Sequence, residues 1–319
     1  MNVRRFFVCV ILAAGFGLAR PAAQPAAQEQ PVFRGASDLV RVFVTVTDRD
    51  GRLVTTLAQN EFEVRDEGKP QAITLFDNTP QPIRLVVMLD VSGSMTGNLQ
   101  LLRAASDQLF TRLAPQDVAR VGTFGKDVTI SESFTRDARA LHEALPDMIP
   151  PDSPTPLWRG IDTAINAFEK TAEPRPVVLV LSDGKDSGPI SFRQRFVSQV
   201  EVIERARREG VMVYAIGMRS RSGQPRMPGL GAAGLQAMLT EDMPDAGLAK
   251  VAEETGGGYV EIRFGQDLGA AFAQVADELH SQYLLGYALP KRDGKTHEID
   301  VRVSTRGLKP RAKKSYVAP

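Results

Sequence analysis

Cysteine is almost absent from this chain: of 319 residues, only Cys9 carries a thiol. A single thiol forms no internal disulfide, so a disulfide-held scaffold is excluded. Histidine is nearly as scarce, and the spacing of His142, His280 and His297 fits no zinc signature. Charge of one sign is also missing, with 39 basic side chains against 38 acidic ones and no long basic run. Lys313 and Lys314 are too few to make a phosphate track, which argues against nucleic acid as a main partner. What remains is an ordinary globular balance, 43% hydrophobic and 24% charged. The length suits one full α/β domain plus a smaller module.

The N-terminus has the layout of an export signal. Arg4 and Arg5 form a positive start, Phe6 to Leu18 is an apolar run, and small residues follow in Pro21-Ala22-Ala23 and Pro25-Ala26-Ala27. The run falls short of the about 20 residues a membrane-spanning helix needs. An uncleaved N-terminal anchor is the competing reading. Cleavage after residue 27 would discard Cys9 and three arginines but no acid, leaving 36 basic against 38 acidic side chains. The expected product is a periplasmic or extracellular protein with no membrane span.

The rest of the chain divides by style. Residues 28–37 read as a linker, rich in Gln, Pro and Ala. Residues 38–80 read as the first part of a β module, with strands at Leu39–Thr47, Phe62–Arg65 and Ala72–Phe76 separated by Asp-Gly and Glu-Gly turns. Residues 83–276 change to buried apolar runs alternating with amphipathic stretches. Strands are expected at Arg84–Asp90, Val118–Phe124, Pro176–Ser182, Val211–Ile216 and Gly258–Ile262. Helices are expected at Leu101–Leu113, Asp137–Met148, Leu157–Lys170, Phe192–Arg208, Ala246–Glu254 and Leu268–Leu279. Such alternation predicts a doubly wound, mostly parallel sheet with helices on both faces. Residues 281–318 return to the β style, with strands at Tyr283–Tyr287, His297–Ser304 and Ala312–Val317. The two β segments are expected to form one small antiparallel sandwich with the α/β domain inserted between them, because each alone has an apolar face with nothing to cover it. Residues 219–245 read as a long insertion loop.

The chemistry-bearing segment is Asp90-Val91-Ser92-Gly93-Ser94, at the end of a buried strand. Ligands in open α/β sheets bind at the carboxyl ends of strands. Gly93 lets the backbone turn so that one carboxylate and two hydroxyls face one point. A second carboxylate, Asp183, ends the strand Pro176–Ser182, and Thr155 stands in a loop just before the helix at Leu157. Hard oxygen donors in this number suit Mg2+, with Mn2+ or Ca2+ as alternatives.

This set resembles the von Willebrand factor A family and its metal-ion-dependent adhesion site, written D-x-S-x-S, a loop threonine and a strand-end aspartate. Asp90, Ser92 and Ser94 match the first part, Thr155 the second and Asp183 the third. The flanking segments Val42-Phe43-Val44-Thr45-Val46-Thr47-Asp48 and Gln282-Tyr283-Leu284-Leu285-Gly286-Tyr287 are similar to those of a bacterial exported subgroup. The resemblance implies a non-enzymatic module in which a carboxylate of a partner protein completes the metal's coordination. One departure is that Pro154 and Pro156 bracket Thr155 where family members usually have a preceding glycine; proline biases Thr155 toward extended backbone.

The same residues admit other readings. Asp90, Ser92 and Ser94 also have the composition of a helix cap. An aspartyl phosphotransferase wants a second aspartate where Ser92 stands. A serine hydrolase wants G-x-S-x-G, and Ser92 breaks that pattern around Ser94. Trp158 reads as a core residue rather than an interface anchor, and Asp186 as a solvated loop carboxylate. The expected function is metal-dependent adhesion or scaffolding outside the cytoplasm. The alternative is an accessory or chaperone-like part of a larger enzyme or envelope complex.

Overall fold

The computed structural model describes residues 39–150, 152–168, 174–188, 195–219, 244–263 and 267–319. The expected signal peptide, the linker and nearly all of the 219–245 loop lie outside them.

The architecture centres on a six-stranded sheet of order β10-β9-β8-β5-β6-β7. Its members are β5 (Ile83–Asp90), β6 (Val118–Phe124), β7 (Val128–Ile130), β8 (Arg175–Ser182), β9 (Met212–Met218) and β10 (Tyr259–Ile262). All pairings are parallel except β6–β7. β5 is buried along its whole length, so it carries no polar alternation. Its side chains sort by parity: Ile83, Leu85, Val87 and Leu89 enter one core, Val86 and Met88 the other. The first core is closed by α1 (Leu99–Phe110), α2 (Ala138–Glu143) and α6 (Leu268–His280), the second by α3 (Leu157–Asn166), α4 (Gln199–Glu209) and α5 (Gly247–Thr255). The expected doubly wound sheet is therefore present.

The remaining strands are β1 (Leu39–Thr47), β2 (Phe62–Asp66), β3 (Lys69–Gln71), β4 (Ile73–Asp77), β11 (Tyr283–Ala288), β12 (Thr296–Val303), β13 (Lys309–Arg311) and β14 (Ser315–Val317). They form two antiparallel sheets, β13-β1-β11-β4 and β14-β12-β2-β3, each mixing strands from before and after the α/β part. Val42, Val44, Phe62, Val64, Tyr283, Leu285, Ile299 and Tyr316 share one core between the sheets. Phe62 and Tyr283 are 4.9 Å apart at their ring centroids. Thus the α/β domain is inserted in a sandwich built from both ends of the described chain.

Several local expectations shift. α2 is shorter than Asp137–Met148, because the chain after Glu143 leaves the helix and runs alongside α1. α4 starts at Gln199 rather than Phe192: Ser198 caps it by accepting from Glu201 N–H, and Glu201 reaches back to Ser198 N–H. The expected Ala312–Val317 strand is shortened to β14, which lies beside β12, and an additional short strand, β13, precedes it beside β1. Gly210 ends α4 in the left-handed conformation, φ 67°, as a C-terminal glycine should.

The joint between sandwich and α/β domain is a buried polar cluster. The Arg175 guanidinium donates to Gln282 Oε1 and to Leu279 O (3.0 Å), and lies 4.1 Å from the Phe43 ring centroid. Gln282 Nε2 donates to Thr45 Oγ1 at 2.8 Å and approaches the Tyr214 hydroxyl at 3.4 Å. Burial pushes Arg175 down to about 10. Gln282 thus bridges the start of β8, β1 and β9, which gives the Gln282–Tyr287 segment a physical role.

Candidate metal centre

The chain runs from β5 outward to β6 on one side and from β8 outward to β9 on the other. The carboxyl ends of β5 and β8 therefore flank a switch point, where a crevice opens in a doubly wound sheet. Asp90 is the last residue of β5, and Asp183 follows the last residue of β8.

Both carboxylates are fully buried. Asp90 Oδ1 accepts from Ser92 N–H (2.8 Å) and Oδ2 accepts from Ser182 Oγ (2.5 Å). Ser94 Oγ donates to Asp183 Oδ1 at 2.7 Å and lies 3.1 Å from Ser92 Oγ. Four of the expected residues, Asp90, Ser92, Ser94 and Asp183, thus form one connected group. Thr155 makes no hydrogen bond to these four through its side chain but lies beside the residue after Asp183: a Cβ built on Gly184 would sit 3.1 Å from Thr155 Oγ1, so glycine there leaves room for the threonine hydroxyl. Ser92 is the first residue of the 3-10 turn Gly93–Asn98 in the capping position, yet its side chain makes no capping bond. Its hydroxyl faces Ser94 instead, which disfavours simple helix capping.

Electrostatics sharpen the picture. Burial, and secondarily the charge of Asp183, pushes the Asp90 carboxyl up to about 7, against partial opposition from Ser182 and Ser92. Two carboxylates held together in a dry crevice repel each other, and a cation between them would relieve both the repulsion and the burial cost. All the donors are hard oxygens, so the residues present fit Mg2+, Mn2+ or Ca2+ and not a soft metal. Among the described residues no group of three or more His, Cys, Asp or Glu side chains is placed to hold a metal. Among the described residues the candidate donors are therefore two carboxylates supplemented by hydroxyls.

The supporting residues were less visible in sequence. Ser153 ties three loops: its carbonyl accepts from Gly93 N–H (3.0 Å) and its hydroxyl from Lys126 N–H (3.0 Å), while Thr155 follows two residues on. The Thr155 carbonyl accepts from Leu157 N–H (2.8 Å) and Ser187 N–H (2.9 Å), so the proline-bracketed segment is strapped to the loop after β8 as well. Asp152 beside it has a left-handed φ of 53°, which aspartate tolerates better than most residues. Asp186 is not a solvated carboxylate: it is half-buried, accepting from Trp158 N–H (3.3 Å) and Gly188 N–H (3.0 Å), and burial raises its pKa. Asp245 accepts from Asp186 N–H (3.2 Å) and Gly247 N–H (2.8 Å). Trp158 is a core residue, 6% exposed, packed against Gly247. The histidines stand apart from the site: His142 pairs with Asp107, His280 with the buried Asp117 and His297 with the buried Asp66.

Comparison with known proteins bears on this arrangement. A search of curated proteins found no match. Among solved structures, a von Willebrand factor type A protein from Catenulispora acidiphila is 13% identical, covers 90% of this chain and 75% of its own, and gives a TM-score of 0.48. Proximal thread matrix protein 1 from the mussel byssus, solved with a zinc-occupied MIDAS motif, is 17% identical over 68% of this chain and 50% of its own, with a TM-score of 0.48. The conserved hypothetical protein BatB from Bacteroides thetaiotaomicron is 16% identical over 62% of this chain and 97% of its own, with a TM-score of 0.45. The family model of the von Willebrand factor type A domain matches residues 85–247, which begin in β5 and end at the start of α5, and so take in every residue of the candidate metal centre. On that match, which spans just over half of its 319 residues, the chain belongs to the von Willebrand factor type A family.

Proposed function

We propose that this protein is an exported, non-enzymatic binding module that holds a divalent cation, Mg2+ in the first instance, at Asp90, Ser92, Ser94, Thr155 and Asp183, and through it grips a carboxylate of a partner protein. The observation that carries the reading is that two buried carboxylates, Asp90 and Asp183, stand at the switch point of the sheet with the Ser92 and Ser94 hydroxyls beside them. The bound ion supplies a concentrated positive charge with exchangeable positions for an incoming acidic group. The chain's own contribution is to neutralise that ion with Asp90 and Asp183, to fix the hydroxyls through the Gly93 turn, and to hold Thr155 in place through Ser153. Export is supported by the N-terminal pattern of Arg4-Arg5, the apolar run and the small residues that follow. Among the described residues no helix is long and apolar enough to cross a membrane.

The test is capture from the envelope fraction of the native host. The wild-type chain is expected to retain a partner that a chelator releases, and Asp90→Ala is expected to retain none. Equal capture with and without chelator, or by both proteins, contradicts the reading.

A further inference from the structure

Among the described residues of this molecule, large apolar side chains standing out in solvent are few: Met148 is 70% exposed, Val200 60%, Phe196 58% and Leu101 42%. All four lie at one end of it. Leu101 is in the first turn of α1, the helix that leaves the carboxyl end of β5 through the 3-10 turn bearing Ser94. Met148 is at the same level. Arg103 Nη1 donates to the carbonyls of Leu145 (3.2 Å) and Pro146 (2.9 Å) and pairs with Asp147 (2.7 Å), while one turn further along α1 Asp107 meets His142. Residues 142–148 therefore run beside α1 toward its N-terminus and lead on to Ser153. Phe196 and Val200 flank the N-terminus of α4. There Gln199 Nε2 donates to Gly247 O (3.0 Å), and Asp245 N–H donates to Gly184 O (3.3 Å), next to Asp183.

The four residues form two pairs on opposite faces of the sheet. α1 and α2 close one core and α4 the other, so Leu101 and Met148 stand on one side of the crevice and Phe196 and Val200 on the other. None is needed for the interior, since α1 already buries Leu102 and Leu109 and α4 buries Val202, Ile203 and Ala206. A lone exposed leucine needs no explanation, but apolar residues gathered around one site mark a surface that expects a partner. Between the pairs lie the two carboxylates that call for a cation, and a cation calls for an anionic group.

Resting on the metal-centre reading above, we propose that Leu101, Met148, Phe196 and Val200 form an apolar rim that selects a partner protein whose metal-binding carboxylate is flanked on both sides by apolar side chains. The rim supplies affinity by removing apolar surface from water, and the cation fixes the register. A partner offering the same carboxylate among polar neighbours gains only the second contribution.

Two series of short synthetic peptides test this against the full chain by fluorescence anisotropy. One has a central Asp between Leu and Phe residues, the other the same Asp between serines, each measured in Mg2+ and in EDTA. The apolar-flanked series is expected to bind at least about ten-fold more tightly in Mg2+. The double variant Met148→Ser/Phe196→Ser is expected to lose that preference while its Mg2+ affinity and melting temperature stay as in the wild type. Equal binding of the two series, no binding of either to protein that demonstrably takes up Mg2+, or a preference that survives the double substitution overturns the rim. A preference unchanged in EDTA overturns instead the metal-centre reading, and with it the carboxylate half of the proposal.

Discussion

At the scale of single residues, Asp90 meets two opposed demands. Its strand is buried on both faces, which favours an apolar side chain, yet a cation at the strand end requires a charge. The charge is tolerated through donors from Ser92 and Ser182, and its cost shows in a carboxyl pushed up to about 7 by burial and by Asp183. An acid whose folded value is raised above its ordinary 3.8 opposes folding most strongly at high pH, where it is ionised. Asp90→Asn keeps the shape and removes the charge. In EDTA at about pH 8 its melting temperature, by scanning calorimetry, is expected to exceed the wild type's by a few degrees. A lower melting temperature would mean that the charge is not a burden in the metal-free protein. Asp90, Ser92, Ser94 and Asp183 could be picked out in the sequence because strand ends follow from apolar runs, and polar residues just past two such ends are rare enough to notice. Ser153 and Asp245 could not, because the groups that engage their side chains are backbone N–H groups, which every residue but proline has. Asp186 was misjudged for the same reason: what holds it is the amide of Trp158, far away in the sequence.

Elements were legible where one period dominated. β5 and β8 read as buried strands because Leu85–Leu89 and Val177–Leu181 are unbroken apolar runs, whereas β7 has three residues and no period to read. The sequence suggests an earlier start for α4 because Phe192 and Phe196 mimic a helical stripe, whereas the Ser198–Glu201 capping pair fixes the start at Gln199. Close approach matters as much as pattern at Gly257, between α5 and β10. A Cβ there would fall inside the Val213 carbonyl, and backbone cannot yield as a side chain can. Gly257→Ala is expected to destabilise the protein by about 3 kcal/mol or more in urea denaturation, at the upper end for point substitutions; a change below about 1 kcal/mol would show that β10 shifts freely. Strand β12 carries a different constraint. His297 lies between Asp66 (3.1 Å) and Asp293 (3.1 Å), with the Tyr316 ring 5.3 Å away, while Tyr287 and Tyr316 both donate to Asp66 at 2.8 Å. The two carboxylates raise the His297 pKa above 6.5. Its stabilising contribution is therefore full below that value and is lost as pH rises through the folded one. Melting temperature is expected to fall across that window in the wild type, and the fall should flatten in His297→Gln. An identical slope in both would assign the pH dependence to another group.

For the whole molecule, the sandwich follows from a requirement that no single segment meets. Strands before and after the α/β domain each leave an apolar face, and β1 lies between β11 and β13 while β2 lies between β12 and β3, so neither sheet closes without both segments. The sequence could suggest this pairing from uncovered faces, but not the joint at Arg175 and Gln282, where a buried guanidinium donates to Leu279 and Gln282 and Gln282 in turn reaches Thr45 of β1. We propose that the boundaries near residues 80 and 281 mark where module and domain part. Truncation after Ser281 is expected to expose the segment between Leu39 and Phe76 to limited proteolysis while the six-stranded sheet stays folded. Continued protection of that segment would mean that the N-terminal strands hold together alone. The claim on which the functional account rests is the cation itself, and titration calorimetry with Mg2+ addresses it most directly. The account predicts saturable binding to the wild-type chain, weaker binding to Thr155→Ala, and none to an Asp90→Ala variant that retains its fold by circular dichroism. Equal Mg2+ binding by wild type and folded Asp90→Ala, or no binding by the wild type, would contradict it.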